Sequence, residues 1–305
     1  MSLRTWGLLI ALSFLWGGTF FFIELALVDF TPFTIVFLRV SIAALALLAY
    51  LLIKGEVIPR DAAIWSTFLV MGLLNNIIPF SLITWGQTHI TGSVASILNA
   101  TTPLFAAILA HFLTGDEKLK RHKLFGILLG YCGVFIMMQP TLVDGISLQS
   151  LGQLAILGAA LSYGFAGIWG KRLGRSSALV NAFGMLACSS LVMLPVVLVV
   201  EDPFSATPSL ISIGAMLCLA LAGTALAYIL YFRVLVLAGA VNLLLVTFLI
   251  PVTALVLGVG VLGETVHPFA LIGTAVIFAG LALIDGRILG LFRKKSAPGG
   301  EIPPL

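Results

Sequence analysis

The chain has 305 residues, 60% of them hydrophobic and only 9% charged, with a mean hydropathy of +1.17. A water-soluble domain has no use for so much apolar surface, so the composition is that of a membrane protein. The net charge of +4 is too small to argue for nucleic acid, and Cys132, Cys188 and Cys218, each inside an apolar run, give no disulfide framework.

Ten apolar runs predict ten spans, at about 5–27, 32–53, 62–84, 91–113, 122–139, 150–170, 177–200, 209–236, 240–262 and 268–288. Each is long enough for a hydrocarbon core of about 30 Å. The run from Trp6 to Leu27 is too long for a signal-peptide core and lacks a small-x-small cleavage site, so it is read as the first span. The connections are too short for a soluble domain. Long continuous apolar runs also exclude a β-barrel. Of the 16 Lys and Arg, all but Arg39 fall at the N-terminus, the C-terminal end and alternate connections. Basic residues stay on the cytoplasmic side, which predicts that both termini are cytoplasmic and that the protein is a multi-pass protein of the cell's inner membrane.

The two halves resemble each other. A shift of 147 residues lays Glu117 on Glu264, Gly126 on Gly273 and Gly133 on Gly280. A shift of 148 lays Asn99 on Thr247 and Pro103 on Pro251, each proline midway along a span. Five spans per repeat is an odd number, so the second repeat starts from the opposite side of the membrane. The predicted architecture is all-α: two inverted five-helix repeats, residues 1–146 and 147–290, with a disordered Pro/Gly-rich tail at 291–305.

The Trp-Gly of span 1, the Pro-Phe and Arg39 of span 2, the mid-span prolines and the Gly-Asp-Glu and Gly-Glu to Gly patterns resemble the EamA-type transporters of the drug/metabolite transporter superfamily, and within it the aromatic amino acid exporters. The resemblance covers about residues 5–290. It implies a secondary transporter that moves small metabolites, most readily amino acids, as an exporter or exchanger, through a central cavity between the repeats. A multidrug or other metabolite exporter of the same superfamily is the alternative. Nothing basic in the second repeat matches Arg39.

Candidate residues follow from what a bilayer forbids. Proline removes an N–H, so Pro103 and Pro251 free the carbonyls of Asn99 and Thr247 and are read as hinges. Interrupted helices at corresponding positions of two halves point to a binding site. Asn75, Asn76, Asn99 and Thr102 carry polar groups that belong in a wet interior, whereas serine, threonine and glycine elsewhere are read first as packing residues. Arg39 lies about 10 Å below the outer surface at ~1.5 Å per residue, with Glu24 as its expected partner and a substrate carboxylate as its sharper reading. Phe20, Phe80, Trp169 and Tyr228 are read as apolar walls for a substrate side chain. The expected ligand is a small zwitterion.

No H-E-x-x-H, G-x-S-x-G or P-loop occurs, and His89, His111, His122 and His267 are scattered, so neither a metal, a cofactor nor a membrane-embedded enzyme is expected. No carboxylate falls near the middle of a span, which predicts facilitated diffusion or exchange rather than proton coupling. Gly126-x-x-x-Gly130 on span 5, with Gly133, Gly273 and Gly280, predicts close helix packing that supports the bundle or a homodimer through helices 5 and 10.

Overall fold

The structure, a computed structural model, describes residues 3–115, 119, 121–143, 147–173, 177–203, 207–243 and 245–285, of which 141–143, 238 and 240–242 through their backbone alone. No strand occurs among them. Nine described helices are long and apolar enough to cross a membrane: α1 (Leu3–Ala26), α2 (Pro32–Lys54), α3 (Ala62–Gly86), α4 (Gly92–Leu113), α5 (Arg121–Pro140), α6 (Leu148–Leu173), α7 (Ala178–Val200), α8 (Leu210–Leu237) and α10 (Pro268–Asp285). Between the last two lies α9 (Val246–Val261), with 16 residues. It is short because the expected span at 240–262 is divided. Gly239, at φ 75°, turns the chain, residues 240–243 are helical, and a regular helix resumes only at Val246. The predicted tail at 291–305 and Glu117 lie outside the described residues.

Helix starts are set by local chemistry. Asp61, Thr91, Ser147, Ser177 and Ser209 each accept a backbone N–H of the first turn, and Pro32 opens α2.

The packing repeats itself under exchange of the halves. α3 packs on α6 as α8 packs on α1; α4 packs on α6 as α9 packs on α1; α3 meets α7 as α8 meets α2. Two pairs lie on the pseudo-two-fold axis. One is α2 with α7, where Ser41 Oγ and Ser190 Oγ, 149 positions apart in the chain, lie 2.6 Å from each other. The other is α5 with α10, where Gly126 meets Gly280 and Gly133 meets Gly273. The chain is an all-α membrane protein of two five-helix repeats.

Gly126, Gly133, Gly273 and Gly280 therefore bring α5 and α10 together within one molecule, while Gly130 makes room for Leu104 of α4. A Cβ on Gly280 would stand 2.6 Å from the backbone nitrogen of Gly130, so two backbones touch where any side chain would separate them. Gly280→Val is expected to lower thermal stability by about 1–3 kcal/mol, the scale of overpacking, while Gly260→Val, at a position with open space, changes it little. Thermal unfolding followed by fluorescence in detergent checks this.

The end of the bundle at which α1 finishes carries no Lys or Arg in its connections and is here termed the outer end. Cysteine at Asp202, exposed at that end, should react with an impermeant maleimide on intact cells, and cysteine at Arg172 should not, in a background lacking Cys132, Cys188 and Cys218. The reverse pattern would turn the charge-based orientation over.

Candidate functional site

Two helices depart from α geometry at equivalent places. Leu73–Ile77 of α3 and Cys218–Leu226 of α8 are π-helical, near the middle of helices of 25 and 28 residues. In α3 the cause is Pro79, which cannot donate to the carbonyl of Asn75 and crowds it, so the preceding turn widens. In α8 there is no proline. There the Thr224 hydroxyl donates to the Leu219 carbonyl five residues back, 2.9 Å away, and satisfies a group that the wider turn displaces. Such turns aim side chains inward that a regular helix would not, and they recur at functional sites.

Arg39 lies between them. Its residue is 6% exposed, its Nε donates to Thr224 Oγ1 at 2.8 Å, and its guanidinium lies 3.7 Å from the centre of the Phe80 ring. Tyr163 of α6 and Tyr228 of α8 are its other electrostatic neighbours. No carboxylate of a described residue faces it. The expected partnership with Glu24 is incorrect: Glu24 accepts the Gly92 N–H at 3.1 Å at the outer end of α4. The similar depth of the two residues misled, because it says nothing about which side of the bundle each faces.

A polar chain continues from this point. Asn75 Nδ2 donates to Tyr228 Oη at 2.9 Å, Tyr228 donates to Asn76 Oδ1 at 3.2 Å, and Asn76 Nδ2 donates to Ser189 Oγ at 3.1 Å. Ser189 donates to the Met185 carbonyl of its own helix at 2.7 Å. Five of the residues singled out from sequence, Arg39, Asn75, Asn76, Phe80 and Tyr228, are thus brought together. They come from α2, α3 and α8, across both repeats.

The others lie elsewhere. α4 is interrupted between Asn99 and Thr102, and the Asn99 carbonyl is taken by the Thr102 hydroxyl at 2.8 Å, while Asn99 Oδ1 is buried and without a partner. Pro103 opens the second half of that helix. Pro251 instead sits inside continuous α9, so the expected matched interruption is not symmetric: the break that corresponds to the one in α4 precedes Val246. Thr247 is half-buried at the start of α9. Phe20 is buried in the core with Ile23, Ala95 and Leu98. Trp169 is at the inner end of α6, where its Nε1 donates to the Thr67 carbonyl at 3.3 Å and Arg172 stacks on it at 4.0 Å, so it is not a wall of the central cluster.

Two participants escape a sequence reading, and a third, Thr224, stands among the polar candidates of span 8 but is read first as packing. Ser189 carries no signal, and Tyr163, which packs against two of the hydrophobic clusters, is marked only by its likeness to Trp16 in the other repeat.

At the outer end, carboxylates tie the repeats together by accepting helix N-terminal groups. Glu201 of the second repeat accepts Thr34 N at 2.7 Å and Phe33 N at 3.0 Å from α2, and also the Thr31 hydroxyl. Asp29 of the first accepts Ser212 Oγ at 2.6 Å, Ser209 Oγ at 2.7 Å and Ser209 N at 2.9 Å from α8. Those Ser212 and Ser209 bonds hold the Asp29 carboxyl below the usual carboxylate range, so this tie persists at neutral pH and is lost only on strong acidification.

The structure thus places a buried cation between two pseudo-symmetric repeats, with no carboxylate of a described residue facing it, and carboxylate ties between the repeats at one end. The model of the EamA-like transporter family matches residues 4–139 and again 150–285. The Escherichia coli K12 protein named "Uncharacterized inner membrane transporter YedA" is 25% identical over 284 residues, 92% of this chain and 90% of its own. "Protein PecM" of Dickeya dadantii is 26% identical, over 93% of each chain. A "Probable terminal-alkyne amino-acid exporter" of Streptantibioticus cattleyicolor is 26% identical over 72% of each. A crystal structure of a protein 18% identical superposes with a TM-score of 0.67 over 97% of this chain and 100% of that one, which speaks to fold alone. With the matched segments falling on the two repeats and covering most of the chain, this is a multi-pass inner-membrane transporter, and it belongs to the EamA-like transporter family.

Proposed function

We propose that this transporter exports or exchanges a small amino acid, whose carboxylate is held by Arg39 and whose polar head is oriented by Asn75 and Tyr228. The observation that carries the reading is a guanidinium buried in the membrane without a facing carboxylate among the described residues. A cation in that position is costly, and a bidentate anionic ligand relieves the cost. Phe80 and Tyr163 are apolar surfaces beside it for a side chain. Asn99 Oδ1, a buried acceptor without a partner, suits an ammonium group at another stage of the cycle. The relative named as an amino-acid exporter supports the substrate class and the direction.

The test is counterflow of radiolabelled amino acids into liposomes that hold purified protein, with ligands first ranked by thermal shift. Saturable counterflow of an amino acid, competed by analogues that keep the carboxylate and not by the corresponding amides, is the expected result. Transport of cationic or neutral drugs, insensitive to carboxylates, would instead favour the multidrug alternative.

A further inference from the structure

A second constellation lies at the outer end, apart from Arg39. The first turn of α4 has two free N–H groups, and each is met by a carboxylate from a different repeat. Gly92 N donates to Glu24 Oε1 at 3.1 Å, and Ser93 N donates to Glu264 Oε2, also at 3.1 Å. Gly92 and Ser93 are consecutive, so the two carboxyl groups accept adjacent N–H groups and lie side by side. Their remaining oxygens, Glu24 Oε2 and Glu264 Oε1, are both buried and have no other partner. Around them are two further buried oxygens without partners, Ser93 Oγ, on a residue that is 0% exposed, and Gln87 Oε1, on one that is 6% exposed. Gly258 of α9 admits the group: a Cβ there would stand 2.6 Å from Glu264 Oε1 and 2.5 Å from Ser93 Oγ.

Two ionised carboxylates do not sit together in this setting. Helix N-terminal amides supply about half a positive charge, against two negative ones. No Lys or Arg exists in any outer connection to supply the rest. The elements packed around the pair present Gln87 from α3, Ser93 from α4 and Gly258 from α9, none of them charged. Of the other described titratable groups of the outer end, Asp29 is engaged with Ser209 and Ser212, Glu201 with the start of α2, His89 on the Trp85 ring and His267 with the Phe269 N–H, and Asp202 is exposed. When like charges share such a site, one proton is retained between them.

We propose that Glu24 and Glu264 form a proton-binding latch, in which one shared proton joins the first repeat to the turn between α9 and α10 and keeps the outer mouth closed. Closed, the pair holds one proton more than it does when the mouth opens and the two carboxylates separate into water. Acid therefore favours the closed mouth, and the latch is lost as pH rises through the titration of the pair. The expectation of facilitated diffusion or exchange rests on the middle of the spans, and this pair lies at their outer end. Each carboxylate lies near the end of its own span, and only the fold makes them a buried pair.

The experiment places spin labels on Thr88 and Val261, exposed positions at the outer ends of α3 and α9, and measures their separation in lipid nanodiscs without substrate. In the wild type, one short distance is expected at about pH 5, and a second, longer population at about pH 10, far above the ordinary carboxylate range. Glu24→Gln and Glu264→Gln, which keep a donor between the two side chains with no proton to lose, should hold the short distance at both. Wild-type distances that do not respond to pH overturn the proposal, as do glutamine variants that respond like the wild type. Distances that follow sodium at constant pH also overturn it, because they assign the four oxygens to a cation. No substrate is present, so the outcome is independent of the reading of Arg39.

Discussion

Arg39→Met is expected to abolish substrate-induced thermal stabilisation and to cut transport about a hundredfold or more, while leaving the unliganded protein as stable as the wild type or more so. The opposite signs are the point. Loss of a charge-assisted contact to a carboxylate, with the ligand's charge left unpaired in a buried site, costs about 3 kcal/mol or more of binding. The same guanidinium is a liability when the site is empty: its neighbours are a hydroxyl at 2.8 Å and an aromatic face at 3.7 Å, with no carboxylate among the described residues. Replacing it by an apolar side chain of similar length removes a desolvation penalty and keeps the packing against Phe80. Arg39→Lys keeps the charge and loses the planar fork, so binding should fall by about tenfold rather than vanish. A structural arginine behaves otherwise. If Arg39→Met unfolds readily and what remains folded transports normally, Arg39 is a packing residue and the proposed anchor fails.

Much of the fold is legible in the sequence because a bilayer enforces it. Apolar runs, alternation of Lys and Arg, and glycines spaced by 147 residues lead to the helices and to two related halves, whereas the pairing of Gly126 with Gly280 and Gly133 with Gly273 within one chain is seen only in the fold. The central cluster is half legible. Arg39, Asn75, Asn76, Phe80 and Tyr228 stand out because polar or cationic groups in hydrocarbon need partners. Which partner each takes is not legible, since depth along a span fixes one coordinate and leaves the azimuth free. That is how Glu24 comes to be assigned to Arg39 when it faces Glu264. The π-helical turns are hidden for another reason. Pro79 hints at one, but the other rests on a hydroxyl bond from Thr224 to Leu219 that a threonine in a helix is free to make or forgo. The mid-span prolines mislead in part. Proline stands at the interruption of α4 at Pro103 but inside continuous α9 at Pro251, where the break of the second repeat falls earlier, ahead of Val246.

That asymmetry separates two substitutions that the sequence alone would treat alike. Pro103→Ala should slow transport about tenfold with little change in binding, whereas Pro251→Ala should have a smaller effect. At the interruption of α4 the chain has one acceptor and a choice of donors. The Asn99 carbonyl takes the Thr102 hydroxyl at 2.8 Å because residue 103 has no N–H to offer, while Ala100 and Thr101 fold back on the previous turn at 3.1 Å. Alanine at position 103 supplies the missing amide four residues on, and a continuous helix becomes the lower state, with the bend no longer built in. Thr102→Val does the reverse: it strands a half-buried carbonyl and should cost about 1 kcal/mol of stability. The double variant is therefore not additive. Once Pro103→Ala restores the amide, the Asn99 carbonyl has its partner again, so Thr102→Val combined with Pro103→Ala should recover most of that stability while transport stays slow. Stability from thermal unfolding and rates from counterflow, measured on the four proteins of the cycle, decide it. Recovery of both quantities together, or a Pro103→Ala variant that transports at the wild-type rate, would show that the interruption in α4 serves packing and not movement.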